Sequence, residues 1–234
     1  SVWNPNTNKI YIFGGIDTVG GATDQILEYD LATKMLTDTM AHLPTKRSNT
    51  SAVLNPNTNK AYIFGGSGVG GTFNQIVEYD TLSGTVTIRP LTLPLGGYLS
   101  SAVWDADTMT AFVLGGNATD GAIFEYTPIS GTDPTTEMIA SVGALRSAVY
   151  NAAAVWSPVT KNIYIFGGID GSGISTTKID EYNPSTMGTT IRTETLPSVR
   201  FGASAIWNQA VNKAYIFGLY GNASNDTEII EYRI

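Results

Sequence analysis

A chain of 234 residues with 42% hydrophobic residues is long enough for one large all-β domain, and no apolar run is long enough to mark a membrane-crossing helix. The net charge is −7, only 14% of residues are charged, and no Lys/Arg cluster occurs, which excludes a nucleic-acid partner and an acidic membrane surface. Cysteine is absent, so disulfides, thiolate metal sites and cysteine nucleophiles are excluded.

In chain order, the first element is a short strand over "SVWN", which turns at "NPNTNK", where Asn and Pro favour a tight reversal. A second strand, "KIYIFGG", ends at paired glycines, whose positive φ and lack of a side chain allow a close backbone approach. A Gly-rich loop leads to a third strand, "QILEYD", with an alternating pattern. A weaker fourth strand follows before the series restarts at Ser51. The restarts divide the chain into 1–50, 51–100, 101–152, 153–203 and 204–234, read as one domain over 1–234. Trp3, Leu54, Trp104, Trp156 and Trp207 are spaced by 51, 50, 52 and 51 residues. A second column, Glu-Tyr, recurs at Glu28-Tyr29, Glu78-Tyr79, Glu125-Tyr126, Glu181-Tyr182 and Glu231-Tyr232. In the second copy the fourth strand is read over Thr85–Arg89, before Pro90. No 3.6-residue apolar period persists, so few helices are expected.

A four-stranded sheet with two apolar faces cannot bury both alone, and radial stacking of such sheets solves this. The expected fold is an all-β propeller of five four-stranded blades, the last lacking its outer strand within this chain. Small residues at Ala52, Ala102, Ala154 and Ala205 suit the innermost strand.

The aromatic-Ile-Phe-Gly-Gly run, the Glu-Tyr-Asp run and an Arg before the next inner strand resemble the kelch repeat, over essentially the whole chain. Arg47, Arg146 and Arg200 are assigned to that Arg position. The second-to-third junction, "LPLGGYLSSAV", has no Arg there, and no copy carries a Trp in its fourth strand. The resemblance implies that partners bind through the second-to-third and fourth-to-first strand loops of each blade. Propellers of this kind often close by letting one chain end complete a blade begun by the other. Three sources for the missing outer strand are open: residues upstream of Ser1, another molecule, or a larger propeller.

Copper oxidases resembling galactose oxidase need two His and a Cys crosslinked to Tyr, whereas this chain has one His, His42, and no Cys. His42 is expected in the loop before the second copy, solvated rather than catalytic. No G-x-S-x-G elbow occurs, and the boxes of sialidase-like propellers are absent. Five equivalent Glu-Tyr glutamates argue against a catalytic pair, which needs two particular carboxylates. Asp17, Asp24, Asp120, Asp170 and Asp226 match no calcium-loop pattern, and Asp105 with Asp107 has only the spacing. The expectation is no enzyme activity, no cofactor and no metal; an enzyme remains open only for chemistry that avoids His and Cys, such as sugar-ring interconversion by Arg and Glu.

The loop-face candidates for ligand binding are Arg47, Tyr98, Arg146, Tyr150, Arg200, Phe201 and Tyr220, because Arg and aromatic residues make good anchors. Sequons at Asn49, Asn117, Asn222 and Asn225 project from that same face, and glycans there would crowd it. The functional expectation is a secreted or cell-surface module that docks a protein or glycan. The alternative is a glycosylated subunit that self-assembles, as a homo-polymer, into a fibre or surface layer through an open blade edge.

Overall fold

A computed structural model describes residues 1–116, 121–128, 137–218 and 228–233. Five antiparallel sheets, with no helix among the described residues, form the blades of a β-propeller. Blade 1 holds β1 (Val2–Asn4), β2 (Lys9–Ile16), β3 (Ala22–Asp30) and β4 (Met35–His42). The next strands are β5 (Ser51–Asn55), β6 (Lys60–Phe64), β7 (Ser67–Gly68), β8 (Gly71–Thr72), β9 (Gln75–Asp80) and β10 (Val86–Thr92). Blade 2 takes β5, β6, β9 and β10, while β7 and β8 form a small hairpin in its loop. Blade 3 is β11 (Ser101–Asp105), β12 (Thr110–Leu114), β13 (Ala122–Thr127) and β14 (Met138–Ala144). Blade 4 is β15 (Ala153–Ser157), β16 (Asn162–Phe166), β17 (Ile179–Asn183) and β18 (Gly188–Ile191). Blade 5 has three strands among the described residues, β19 (Ser204–Asn208), β20 (Lys213–Phe217) and β21 (Ile230–Arg233).

Two boundaries differ from the sequence reading. His42 is the last residue of β4, paired with Gln25 of β3, because the alternation runs on through Ala41. Strand β10 continues through Pro90 to Thr92, which is tolerated because it is the last strand of its sheet and needs no outward N–H there.

The described residues fall into two units. One comprises Ser1–Tyr98, Ala106–Ala111 and Thr127–Ile139, the other Leu99–Asp105, Phe112–Tyr126 and Ala140–Ile234. In the first, Tyr79 of blade 2 lies edge-on to Tyr11 and Phe13 of blade 1, with ring centroids 5.5 and 5.8 Å apart. In the second, Tyr182 meets Phe112, and Tyr232 meets Tyr164 and Phe166. The tyrosine of each of these Glu-Tyr pairs is therefore an inter-blade wedge, each contact contributing about 0.5–1.5 kcal/mol beyond burial.

The partner glutamates fasten strands within a blade. Lys9 bonds Glu28 at 2.6 Å, Lys60 bonds Glu78 at 2.6 Å and Lys213 bonds Glu231 at 2.5 Å. In blade 4 Asn162 replaces the lysine, and Arg192, the residue after β18, reaches Glu181 at 2.9 Å. Blade 2 adds Arg89, shared between Glu78 and Glu137. Four of the five recurring glutamates are thus engaged in cross-strand pairing.

The paired glycines have an equally specific cause. Gly14, Gly65, Gly115 and Gly167 have φ near +60°, and a Cβ on them would stand 2.2, 2.1, 2.2 and 2.3 Å from the carbonyl oxygens of Arg47, Gly97, Val149 and Arg200. Next to three of them, Gly15, Gly66 and Gly168 donate their N–H to the carbonyls of Arg47, Gly97 and Arg200. Each of these connections is pinned to the end of a second strand by its backbone.

Candidate functional site

Those pinned carbonyls define the true register of the connections. Arg47, Gly97, Val149 and Arg200 occupy equivalent places, each four residues before its inner strand begins. Arg146 lies three residues earlier, so its assignment with Arg47 and Arg200 is corrected: the equivalent of those arginines in that connection is Val149, which is buried.

Arg47 and Arg200 are themselves buried, at 0% and 1% exposure. The Arg47 guanidinium donates to the Gly65 carbonyl at 3.0 Å, to Gln75 Oε1 at 2.7 Å and to the Thr45 hydroxyl, and it stacks 4.6 Å from the Phe73 ring centre. Burial pulls its pKa below the ordinary arginine value. Arg200 donates from Nη2 to Glu228 Oε2 at 2.8 Å. Gln75 opens β9 and Glu228 lies two residues before β21, so both arginines tie their connection to the third strand of the following blade. Their offered role as exposed ligand anchors is replaced by this internal one.

Arg146 faces the opposite situation. The residue in the Gln75 and Glu228 column of blade 4 is Lys178, a like charge. Arg146 is exposed and its Nε donates to the Thr189 carbonyl of β18 at 3.1 Å, while the Thr189 hydroxyl donates to the Ala144 carbonyl at 2.9 Å. Arg146, Thr189, Thr190 and Ile191 line a shallow cleft of about 270 Å³. Two residues after Lys178, Asp180 is 2% exposed in a column that otherwise carries Leu27, Val77, Phe124 and Ile230. Asp180 pairs in register with Ile191, the cleft residue, and its Oδ1 has no hydrogen-bond partner among the described residues. Burial raises the Asp180 pKa, against an opposing pull from the Ser147 hydroxyl and the Arg146 and Ser147 backbone.

The other sequence candidates scatter. Tyr98 is exposed, Phe201 is half-buried, and Tyr150 is half-buried with its backbone bridged to Ile169 at 3.0 and 2.9 Å. Tyr220, Asn117, Asn222 and Asn225 lie outside the described residues. Asn49 is exposed, at φ +56°, and its amide donates to Ser67 Oγ at 3.3 Å. Asp17 and Asp170 form turns: Asp17 Oδ1 accepts from the Val19 and Gly21 amides, and Asp170 Oδ1 from those of Ser172 and Ile174. No group of three or more His, Cys, Asp or Glu residues able to hold a metal occurs among the described residues.

The Arg146 cleft combines a charged planar donor with walls of Ile191 and threonine methyl groups. It suits docking of an anionic or hydroxyl-bearing group that also has an apolar side. Asp180 and the wall Thr189–Ile191 were missed in the sequence. The signal for Asp180 was present, as the single charge in an apolar column.

No protein-family profile matches the chain, and no curated protein does. A solved structure, the structure of YjhT, is similar with a TM-score of 0.78 and 16% identity, over 97% of this chain and 79% of that one. At that identity the likeness shows the fold.

Proposed function

We propose that this chain is a kelch-type propeller acting as a non-catalytic extracellular or cell-surface module, docking a protein or glycan through the Arg146 cleft. The cleft carries the reading: it joins an exposed guanidinium to an apolar wall, whereas Arg47 and Arg200 are consumed internally. Exposed Tyr98 lies in the connection before blade 3, the same kind of connection that bears Arg146 before blade 4. Glycan and peptide arrays identify the ligand class. Arg146→Ala then weakens binding at least about tenfold with Tm unchanged. Undiminished binding by that variant defeats the reading. The surface location is supported by exposed Asn49 in its sequon; expression in a glycosylating host gives a glycosidase-sensitive mass that Asn49→Gln lowers.

A second reading, self-assembly through a blade edge, is favoured by one observation. Strands β4, β10, β14 and β18 each cover the third strand of their blade, and the outer edge of β21 carries no such strand among the described residues. Its unpaired backbone groups would accept a donated strand. Light scattering across a concentration series separates the readings: growing polymers favour assembly, a constant mass favours the binding module.

A further inference from the structure

Blades 1 to 4 each bury one face through the same four columns. Val2, Val53, Val103 and Val155 are buried, and so are Tyr11, Tyr62, Phe112 and Tyr164. Phe13, Phe64, Leu114 and Phe166 are buried too, and Ile26, Ile76, Ile123 and Ile179 are 0% exposed. Blade 5 breaks all four columns together. Ile206 is 55% exposed and Ile229 56%, with Tyr215 and Phe217 only half-buried between them. Scattered surface apolar residues are ordinary, but four contiguous ones in columns that are elsewhere closed are an interface without its second half.

We propose that this face of blade 5 is the seat of a further blade of the same repeat, carried by the same polypeptide beyond these 234 residues. The chemistry of the occupant follows from the interfaces already present. Tyr79 sits on Tyr11 and Phe13, and Tyr232 sits on Tyr164 and Phe166. Tyr215 and Phe217 hold the corresponding places in β20, so the occupant presents the tyrosine of a Glu-Tyr pair to them, flanked by aliphatic residues. Blade 1 leaves open the opposite kind of face. Trp3 is 56% exposed and Ile10, Ile12, Leu27 and Tyr29 are half-buried, whereas Tyr79 and Tyr182 in the Tyr29 column are buried. A blade of this repeat has one face of each kind, so one further repeat carries the complement of each. The YjhT structure agrees in size: the part of that chain outside the 79% match is about as long as one repeat here.

The test weighs the deglycosylated polypeptide isolated from its source and compares Phe217→Ala in that polypeptide and in the 234-residue chain. The intact mass is expected to exceed 24.9 kDa by at least one repeat. The substitution is expected to lower Tm by about 6 °C or more in the longer polypeptide and by less than about 2 °C in the 234-residue chain. An intact mass of 24.9 kDa overturns the proposal. In that case a monomer means the face is solvated, and oligomers dispersed by Phe217→Lys mean a second copy occupies it. A longer polypeptide in which Phe217→Ala costs no more than in the 234-residue chain overturns it as well.

Discussion

The connection before β5 and the connection before β15 begin from the same repeat and use arginine in opposite ways. In the first, Arg47 lies four residues before the strand, is wholly buried, and bridges Gly65, Gln75 and Phe73. In the second, Val149 takes that place, and Arg146, three residues earlier, lies exposed along β18. The facing column explains the difference. Gln75 accepts a guanidinium and so does Glu228, whereas Lys178 would repel one. The same chemical group is a structural pin where an acceptor waits in the next blade and a surface donor where a cation does.

The strongest way to break this comparison is at the glycines that fix its register. Gly14→Ala and Gly115→Ala should each cost about 3–4 kcal/mol, because the new methyl meets a backbone carbonyl and the φ is left-handed. Thermal unfolding should show Tm falling by about 8–12 °C. Gly15→Ala, with open space around its Cβ, should cost about 1–2 kcal/mol. A mild Gly115→Ala beside a severe Gly14→Ala would mean that Val149 does not hold the place of Arg47.

Arg47→Ala comes next, at about 2–4 kcal/mol in chemical denaturation, since the Gly65 carbonyl and Gln75 lose a buried donor. Arg47→Lys should recover less than half, because an ammonium cannot reproduce the fork.

Asp180 sharpens the contrast through pH. Its folded pKa is raised above 3.8 by burial, so the fold favours the protonated carboxyl. The stability gained in this way is fully present below pH 3.8 and is lost as pH rises through the folded pKa. Asp180→Asn should therefore gain about 1 kcal/mol at neutral pH and nothing in acid, flattening the profile of Tm against pH. A variant parallel to the parent at every pH would show that Asp180 keeps its ordinary ionisation in the fold.

The smallest effect belongs to Arg146→Ala, which should change stability by less than about 0.5 kcal/mol. A loss as large as that of Arg47→Ala would make Arg146 a third pin and remove its availability for a ligand.

Much of the fold was legible because two independent columns recur five times, and a repeated blade leaves few other ways to bury its two faces. Arg146 was misplaced because its residue type matched the column while its distance from the next strand did not: it precedes β15 by seven residues, where Arg47 and Arg200 precede their strands by four. The spacing was readable; its meaning depended on knowing that a backbone carbonyl marks the place.

The sequence by itself determined the main strands, their order in each blade and the recurring tyrosine column, since these follow from alternation and repetition along one chain. Only the tertiary structure decided which charges are spent and which are free. Whether an arginine is buried depends on the residue that faces it from another strand, and that pairing is set by how a connection folds back onto the sheet.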